Sequence, residues 1–295
     1  MTSIFGKPAP LLFGQLLLGL INGSFYAVLS LGLAVIFGLL NVINFAHGAQ
    51  YMIGAFLAWI GLTAFGVSYW EALVLAPLLV GLLGVLIERY LLRRLQGLDP
   101  LYGLLLTFGL ALVAEGVFRN FYGISGQSYE VPEQLRGGVN LGFMFLPLYR
   151  GWVIVAALSM CGVVWYAIER TRLGATLRAA TQRPDLVQAL GINVPLLVTV
   201  TYAAGAALAG FAGVLAAPIF QVNPLMGSNL IIVVFAVVVI GGMGSIGGSI
   251  LTGVGLGLVE ALTKVYYSEA SSVVIFLIMA LVLLVRPAGL FGRQA

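Results

Sequence analysis

The chain consists of long apolar stretches separated by short polar segments. Two of these stretches, 8–70 and 186–259, contain no Asp, Glu, Lys or Arg. Because a helix needs about 20 apolar residues to cross a bilayer, each stretch is long enough for more than one crossing. The pattern predicts an all-α polytopic membrane protein that forms a single transmembrane domain over 1–295.

The apolar stretches predict about eight to nine transmembrane helices, which are six single spans, a double segment and a last span. These lie at about 11–39, 44–65, 70–91, 101–122, 150–168, 196–218, 228–267 and 271–286. The double segment is ambiguous, because 230–240 reaches only about 16 Å as a helix before the Gly-rich run 241–248. Either two full spans share a tight turn or two half-helices re-enter, and both return the chain to the same side.

Only 8% of the residues are charged, whereas a soluble domain carries about 25%. The basic residues are scattered among apolar spans, so the net charge of +4 argues for membrane orientation and against nucleic acid. Nine lie in one set of loops and four in the other, namely Arg89, Arg93, Arg94, Arg170, Arg172, Arg178, Arg183, Arg286 and Arg293 against Lys7, Arg119, Arg136 and Arg150. This asymmetry predicts a cytoplasmic C-terminus and an external N-terminus.

Two loops are long. The loop at about 123–149 is predicted to be external, and the loop at about 169–195 to be cytoplasmic. Within the second loop, 173–180 is compatible with a helix, and Pro184 and Gly191 bracket another short helix. Apolar residues recur at helical spacing in both pieces. The pattern is that of either a rigid element that docks into a soluble partner or a solvated loop along the membrane.

Residue types for covalent chemistry are scarce. Neither lysine, Lys7 nor Lys264, is followed by the Ser or Thr that completes a nucleotide-binding P-loop. His47 is the only histidine and Cys161 the only cysteine, which leaves no metal-ligand set and no disulfide. We therefore expect a protein that is not an enzyme, with no catalytic, cofactor-binding or metal-binding residues of its own.

Neutral polar residues interrupt the first apolar stretch at Asn22, Asn41, Asn44, His47 and Gln50. Such side chains in hydrocarbon either join helices by hydrogen bonds or line a polar path. Asn44 and His47 are three residues apart and therefore share a helix face. These five are the candidates for a translocation path, and we expect helix breaks near Asn22 and Asn41 that would free backbone groups.

Two further patterns concern helix contacts. Acid–base pairs at i, i+4 are predicted to neutralise each other in the membrane, with a coupling-ion role as the alternative, at Glu115 with Arg119 and Glu260 with Lys264. Small residues at helical spacing predict close helix packing at Gly205, Ala206, Ala209, Gly210, Gly213, Gly253 and Gly257.

Several motifs form an ordered set along nearly the whole chain. In the cytoplasmic loop they include Gly174, Arg178, Ala179, Asp185, Ala189 and Gly191. Elsewhere they lie at 19–24, 26–27, 40–48, 107–109, 241–248 and 286–292. The set resembles the branched-chain amino-acid (LivH-type) permeases of ABC importers.

This resemblance implies a permease subunit of the bacterial inner membrane that supplies half of a path for branched-chain or similar apolar amino acids. The cytoplasmic loop would be the coupling element, in which the six loop residues contact the ATPase. The implied partners are a homologous second permease, two cytoplasmic ATPase subunits that bind ATP and Mg, and a periplasmic or extracellular substrate-binding protein. Asn44 and His47 would then lie near the permease–permease interface and face a cavity.

The alternative is a stand-alone secondary transporter or channel for a small polar solute. It would explain the charged pairs as ion-coupling sites and the Gly-broken segment as a discontinuous helix at the membrane midplane. A carrier of many spans usually contains an internal repeat, and none is evident in this sequence. The pattern therefore favours the permease subunit.

Overall fold

The structure is a computed structural model that describes residues 3–4, 7–40, 43–142 and 144–292. Two antiparallel hairpins pair β1 (Ser3–Ile4) with β2 (Lys7–Pro8) and β3 (Gly138–Asn140) with β4 (Phe145–Pro147). The helices are α1 (Ala9–Leu40), α2 (Ala46–Phe65), α3 (Tyr69–Tyr90), α4 (Pro100–Tyr122), α5 (Leu148–Glu169), α6 (Arg172–Gln182), α7 (Pro184–Ala189), α8 (Val194–Ala216), α9 (Met226–Gly241), α10 (Ile246–Tyr266) and α11 (Val274–Val285).

Seven helical segments in the described part of the chain are long and apolar enough to cross a membrane. They are Ala9–Gly38, Ala46–Phe65, Tyr69–Leu95, Pro100–Tyr122, Leu148–Glu169, Val194–Ala216 and Ile246–Tyr266. Helices α9 and α11 are apolar but shorter. The all-α polytopic fold is confirmed, whereas the predicted count of eight to nine spans exceeds the number of full-length apolar helices.

Local sequence explains where the helices begin and end. Ser68 and Glu71 form a reciprocal capping box at the start of α3, with the Ser68 N–H donating to the Glu71 carboxylate at 2.8 Å. Asp99 caps α4 directly before Pro100. Gly66 ends α2 with φ of 67°, a left-handed conformation that favours glycine. These signals keep the links between the helices short.

The Gly-rich run forms a tight turn between α9 and α10. Gly242 and Gly244 have φ of 97° and 82°, which a residue with a side chain rarely adopts. Ser245 caps the start of α10. The segment after α11 lies on this turn, where the Leu290 N–H donates to the Ile240 carbonyl at 2.8 Å. The C-terminal segment thus satisfies a carbonyl that the end of α9 leaves open.

The chain divides into two compact units. Unit 1 comprises residues 1–30, 131–161 and 233–295, and unit 2 comprises residues 31–130 and 162–232. The single domain over 1–295 stays a prediction.

In unit 1, α1 and α10 approach each other through glycines. A Cβ on Gly23 would lie 2.9 Å from the Val254 Cα, and a Cβ on Gly257 would meet the Gly23 backbone. The packing role predicted for Gly253 and Gly257 is confirmed, because a Cβ at either position would clash with α1. Helix α1 continues through Asn22, so the predicted break there is wrong. The glycine that follows Asn22 permits close helix contact instead of ending the helix.

In unit 2, α8 packs against α2 and α3 with small residues at the contacts. A Cβ on Gly210 would lie 2.9 Å from the Val80 Cβ, and a Cβ on Gly213 would meet the Tyr51 carbonyl. The packing role predicted for these positions is therefore confirmed. Tyr202 on the same helix is fully buried.

The two predicted ion pairs are Glu115 with Arg119 and Glu260 with Lys264. All four residues lie in the described part of the chain, and neither pair forms there. Each carboxylate instead accepts a hydrogen bond from a hydroxyl on another helix of its own unit. Ser228 donates to Glu115 at 2.8 Å, and Tyr26 donates to Glu260 at 2.7 Å. Both basic residues are exposed in the last turn of their helices, where long side chains extend toward water.

Candidate coupling and translocation sites

The predicted cytoplasmic loop folds into two short helices, as expected from its sequence. The Thr171 hydroxyl caps α6 by accepting from the Leu173 N–H at 3.2 Å. Helix α7 begins at Pro184 in the first helical position. Gly191 follows α7 with φ of 85°, which turns the chain toward α8.

These helices pack together with the beginning of α8. Ala180 from α6, Val187 from α7, and Val194 and Val198 from α8 form one buried apolar cluster, against which Leu197 also packs. We call residues 172–198, which contain α6, α7 and the start of α8, the coupling body. Because the cluster joins three helices, a displacement of α6 or α7 is transferred to α8 by direct contact.

The coupling body exposes large apolar side chains. Leu173 is 61% exposed, Leu186 58% and Leu190 80%. We group these three leucines by their exposure and call them the exposed apolar face of the coupling body. Exposed leucines are ordinary on lipid-facing helices, but these lie in the most polar stretch of the chain. Such a group on a polar, well-packed element is typical of a protein–protein contact.

Of the six loop residues predicted to contact a partner, five are exposed and one is buried. The exposed residues are Arg178, Ala179, Asp185, Ala189 and Gly191. Gly174 is buried, and a Cβ there would clash with the Ile168 carbonyl, so its side-chain position is not available to a partner.

Two further loop residues shape the coupling body. Arg178 lies 3.6 Å from the Glu169 carboxylate and donates to the Ile168 carbonyl at 3.3 Å. It thereby links α6 to the end of α5. Gly191 provides the left-handed turn after α7.

Three of the five candidate path residues meet on α2 and directly before it. Asn44, His47 and Gln50 are buried, and the Gln50 Nε2 donates to the Tyr202 hydroxyl at 3.4 Å. The Asn44 side-chain amide makes no hydrogen bond of ordinary geometry. Tyr202 was not predicted, because its only signal in the sequence is a hydroxyl within an apolar span.

The other two candidates are placed differently. Asn22 is half-buried on α1, in unit 1. Asn41 lies outside the described residues. The structure therefore brings together Asn44, His47 and Gln50, and it buries them within the chain. That these residues face a cavity at a permease–permease interface stays a prediction.

A second polar cluster, which the sequence analysis did not identify, joins α3 to α8. The fully buried Glu88 accepts from Arg93, with Oε1 3.3 Å from Nε and Oε2 3.2 Å from Nη2. Thr199 donates to Glu88 Oε2 at 2.6 Å and accepts from Arg93 Nη2 at 2.6 Å. Arg93 Nη2 also donates to the Pro195 carbonyl at 3.0 Å. We call Glu88, Arg93 and Thr199 the α3–α8 clamp.

The sequence does contain a signal for this clamp. Glu88 is an acidic residue among the apolar residues near the end of a span, and Arg93 follows it five residues later. A buried carboxylate requires a partner. Arg93 entered the sequence analysis only as one of the basic residues that orient the chain.

A groove of about 340 Å³ adjoins the coupling body in unit 2. It lies between the segment 92–103 and residues of α6, α7 and α8, and its polar lining residues are Gln96, Asp99, Thr181 and Gln188. Thr181 donates to the Gly38 carbonyl at 3.3 Å, so α6 also contacts the end of α1. Among the described residues, no group of three or more His, Cys, Asp or Glu is placed to hold a metal ion.

Long apolar helices with a folded polar element between them define the class, which is a multi-pass α-helical membrane protein. A family described as the permease component of the branched-chain amino acid transport system matches residues 15–283. The chain therefore belongs to this branched-chain amino acid permease family.

Individual relatives agree with this assignment. The high-affinity branched-chain amino acid transport system permease protein BraD of Pseudomonas aeruginosa is 34% identical over 301 residues, which cover 95% of each chain. The corresponding LivH of Escherichia coli K12 is 31% identical over 297 residues, again 95% of each chain. The permease protein LivM of the same organism is 27% identical over 90% of this chain and 67% of its own. No solved structure matches this chain.

The resemblance inferred from the ordered motifs is thus confirmed. The family consists of transport permeases and not of enzymes, and it does not favour the alternative of a stand-alone secondary transporter or channel.

Proposed function

We propose that this chain is a membrane-spanning permease subunit of an ATP-driven importer for branched-chain or similar apolar amino acids. A homologous second permease would supply the other half of the path. The similarity to both LivH and LivM, two permease proteins of one organism, supports such a pair. Two cytoplasmic ATPase subunits would bind ATP and Mg, and a periplasmic or extracellular protein would deliver the amino acid.

The coupling body is the docking element for an ATPase subunit. The observation that carries this proposal is the exposed apolar face formed by Leu173, Leu186 and Leu190 on a body with its own buried cluster. Burying a leucine side chain contributes about 1.5–3 kcal/mol, so three leucines supply a useful share of a binding energy. Because the body is already folded, little ordering free energy opposes docking.

The charges around this face indicate what the partner surface contains. Arg172 and Arg183 are exposed at the two ends of α6, and Arg178 is partly exposed between them. Asp185 is an exposed acidic residue of α7. The complementary surface is therefore an apolar groove with a mainly acidic rim.

The orientation follows from the basic residues of the loops. We place the protein in the bacterial inner membrane, with the coupling body and the C-terminus in the cytoplasm and the N-terminus outside. Cysteines at the exposed positions Ser128 and Gln182, in a Cys161→Ala background, are expected to react with a membrane-impermeant reagent from opposite sides. Reaction of both from one side would contradict this orientation.

The translocation path is proposed to include Asn22, Asn41, Asn44, His47 and Gln50. An amino acid carries an ammonium and a carboxylate, and neutral hydrogen-bonding groups can accept both without retaining either. Because Asn44, His47 and Gln50 are buried, they reach the solute only in a state in which α2 separates from its neighbours. This role is tested by measuring uptake by the Asn44→Leu and His47→Leu variants. We expect both variants to transport less than the unchanged protein while assembly with the other subunits stays the same.

The docking proposal is tested by placing a charge on the exposed apolar face. Leu190→Glu is expected to prevent assembly with the ATPase subunits, because a carboxylate would be buried against an apolar and acidic surface. Gln182→Glu is the matched control, since it adds the same charge at another exposed position of the coupling body. The measurements are co-purification with the ATPase subunits and amino-acid uptake by reconstituted vesicles. Normal assembly and uptake of Leu190→Glu would remove the proposal.

A further inference from the structure

The α3–α8 clamp is adjacent to the coupling body. Val194 and Val198 belong to the buried cluster of that body, and Thr199 is the next residue of the same helix. Thr199 contacts both Glu88 and Arg93. One side of the α8 N-terminal turns therefore holds the docking helices, and another holds the end of α3.

The clamp holds α8 to α3 through hydrogen bonds, whose strength depends on direction as well as distance. Glu88 is removed from water, so separating it from Arg93 or Thr199 would leave a buried carboxylate without its partners. The neighbouring apolar contacts of α3 and α8 tolerate small sliding movements, because apolar burial depends on area and not on direction. Hydrogen bonds to a fixed carboxylate do not tolerate them.

We infer that Glu88, Arg93 and Thr199 are positioning residues that transmit movement of the coupling body to α3 during ATP-driven transport. This inference rests on the proposed docking of the ATPase at the coupling body. Without the clamp, α8 can shift against α3, so ATP hydrolysis continues while fewer amino acids cross for each ATP consumed.

A second contact connects movement of α8 to α2. Tyr202 lies three residues after Thr199 on α8, and its hydroxyl accepts from Gln50 on α2. A shift of α8 therefore acts on α3 through the clamp and on the polar residues of α2 through Tyr202. The clamp keeps these two movements together.

The decisive experiment changes only the hydroxyl of Thr199. Thr199→Val keeps the shape and removes the donor, Thr199→Ser keeps the donor, and Thr201→Val removes a hydroxyl that bonds only within α8, to the Leu197 carbonyl at 2.8 Å. Each variant is reconstituted in vesicles with the second permease, the ATPase subunits and the binding protein. The measured quantity is leucine transported per ATP hydrolysed. We expect it to fall about tenfold in Thr199→Val and to stay normal in Thr199→Ser and Thr201→Val.

A second variant, Glu88→Gln, keeps the size of the side chain but removes its charge. It is expected to lower the same ratio while assembly with the ATPase subunits persists. If Thr199→Val transports as many molecules per ATP as the unchanged protein, the inference is wrong. If Thr199→Val fails to assemble although Thr201→Val assembles, the clamp serves folding alone and the inference is equally overturned.

The docking variant separates this result from the proposed function. If Leu190→Glu assembles normally, the proposed docking fails, whatever Thr199→Val does. If Leu190→Glu abolishes assembly and Thr199→Val leaves the transport ratio unchanged, only the inference about the clamp fails.

Discussion

Two helix contacts, one in each unit, use the same close packing but different polar links. Gly23 and Gly257 bring α1 and α10 together in unit 1, and Gly84 brings α3 close to Ala206 of α8 in unit 2. In unit 1 the polar link is the hydrogen bond from Tyr26 to Glu260.

In unit 2 the polar link is the α3–α8 clamp, in which a buried carboxylate is held by an arginine and a hydroxyl. This stronger link lies where α8 continues into the coupling body. Close packing with a single hydrogen bond thus joins α1 to α10, whereas a directional charge cluster occurs where a helix is expected to transmit movement.

The largest expected effect comes from filling the close contact in unit 1. In Gly257→Val, the new side chain would overlap the Gly23 backbone, so α1 and α10 must separate. The overlap is with backbone atoms, which cannot rotate away, so the cost exceeds the about 1–3 kcal/mol that is typical of overpacking. We therefore expect little folded protein after extraction from the membrane. Gly255→Val is the matched control, since a Cβ at Gly255 meets nothing within 4 Å. Equal yields of both variants, measured by gel filtration, would contradict the contact.

A smaller loss is expected from breaking the clamp by removing its cation. Arg93→Met leaves the Glu88 carboxylate buried without its main partner, which destabilises the protein by about 3 kcal/mol. Arg94→Met, at the exposed neighbouring position, is expected to have little effect on thermal unfolding. The double variant Glu88→Gln with Arg93→Met should regain part of the loss, because the unpaired charge is then absent. A double variant less stable than Arg93→Met would speak against this account.

The smallest effect is expected from the single polar link of unit 1. Tyr26→Phe removes the hydrogen bond to Glu260 but keeps the ring, and hydrogen bonds between membrane helices contribute about 1 kcal/mol or less. Glu260 is only half-buried, so the loss of this partner costs less than leaving a fully buried carboxylate unpaired. The unfolding temperature should therefore fall less than in Arg93→Met. A larger fall in Tyr26→Phe would reverse the comparison between the two contacts.

Most helix positions could be predicted because their signals are local. Apolar runs, capping residues such as Ser68 and Asp99, and the Gly-rich turn before α10 act within a few residues of the chain. The two short helices of the coupling body were predictable for the same reason, since Pro184 and Gly191 mark the bounds of α7. The break expected near Asn22 did not occur. A glycine can either break a helix or permit close packing, and the glycine next to Asn22 permits close packing.

Local signals were also insufficient to predict how the candidate sites are assembled. The sequence placed Gly174 among partner-contacting positions, but its burial against the Ile168 carbonyl depends on how α6 folds back on α5. It identified Asn44, His47 and Gln50 as a polar group, while Tyr202, which accepts a hydrogen bond from Gln50, comes from a helix some 150 residues later. Proximity of this kind is created by helix packing and has no signature in local spacing.

The sequence alone therefore determined the class of protein, the apolar spans, the folded loop and the family to which the chain belongs. Hydrophobic run length suffices for the spans, because the bilayer requires every span to satisfy its own backbone hydrogen bonds. Residue order suffices for the folded loop and for the family. The tertiary structure alone decided the partners of the acidic residues. Helical spacing predicted pairs for Glu115 and Glu260 within their own helices, yet hydroxyls of Ser228 and Tyr26 from other helices lie closer. The partner of a carboxylate on a membrane-spanning helix is the group that packing brings within hydrogen-bond distance, and only the fold determines which group that is.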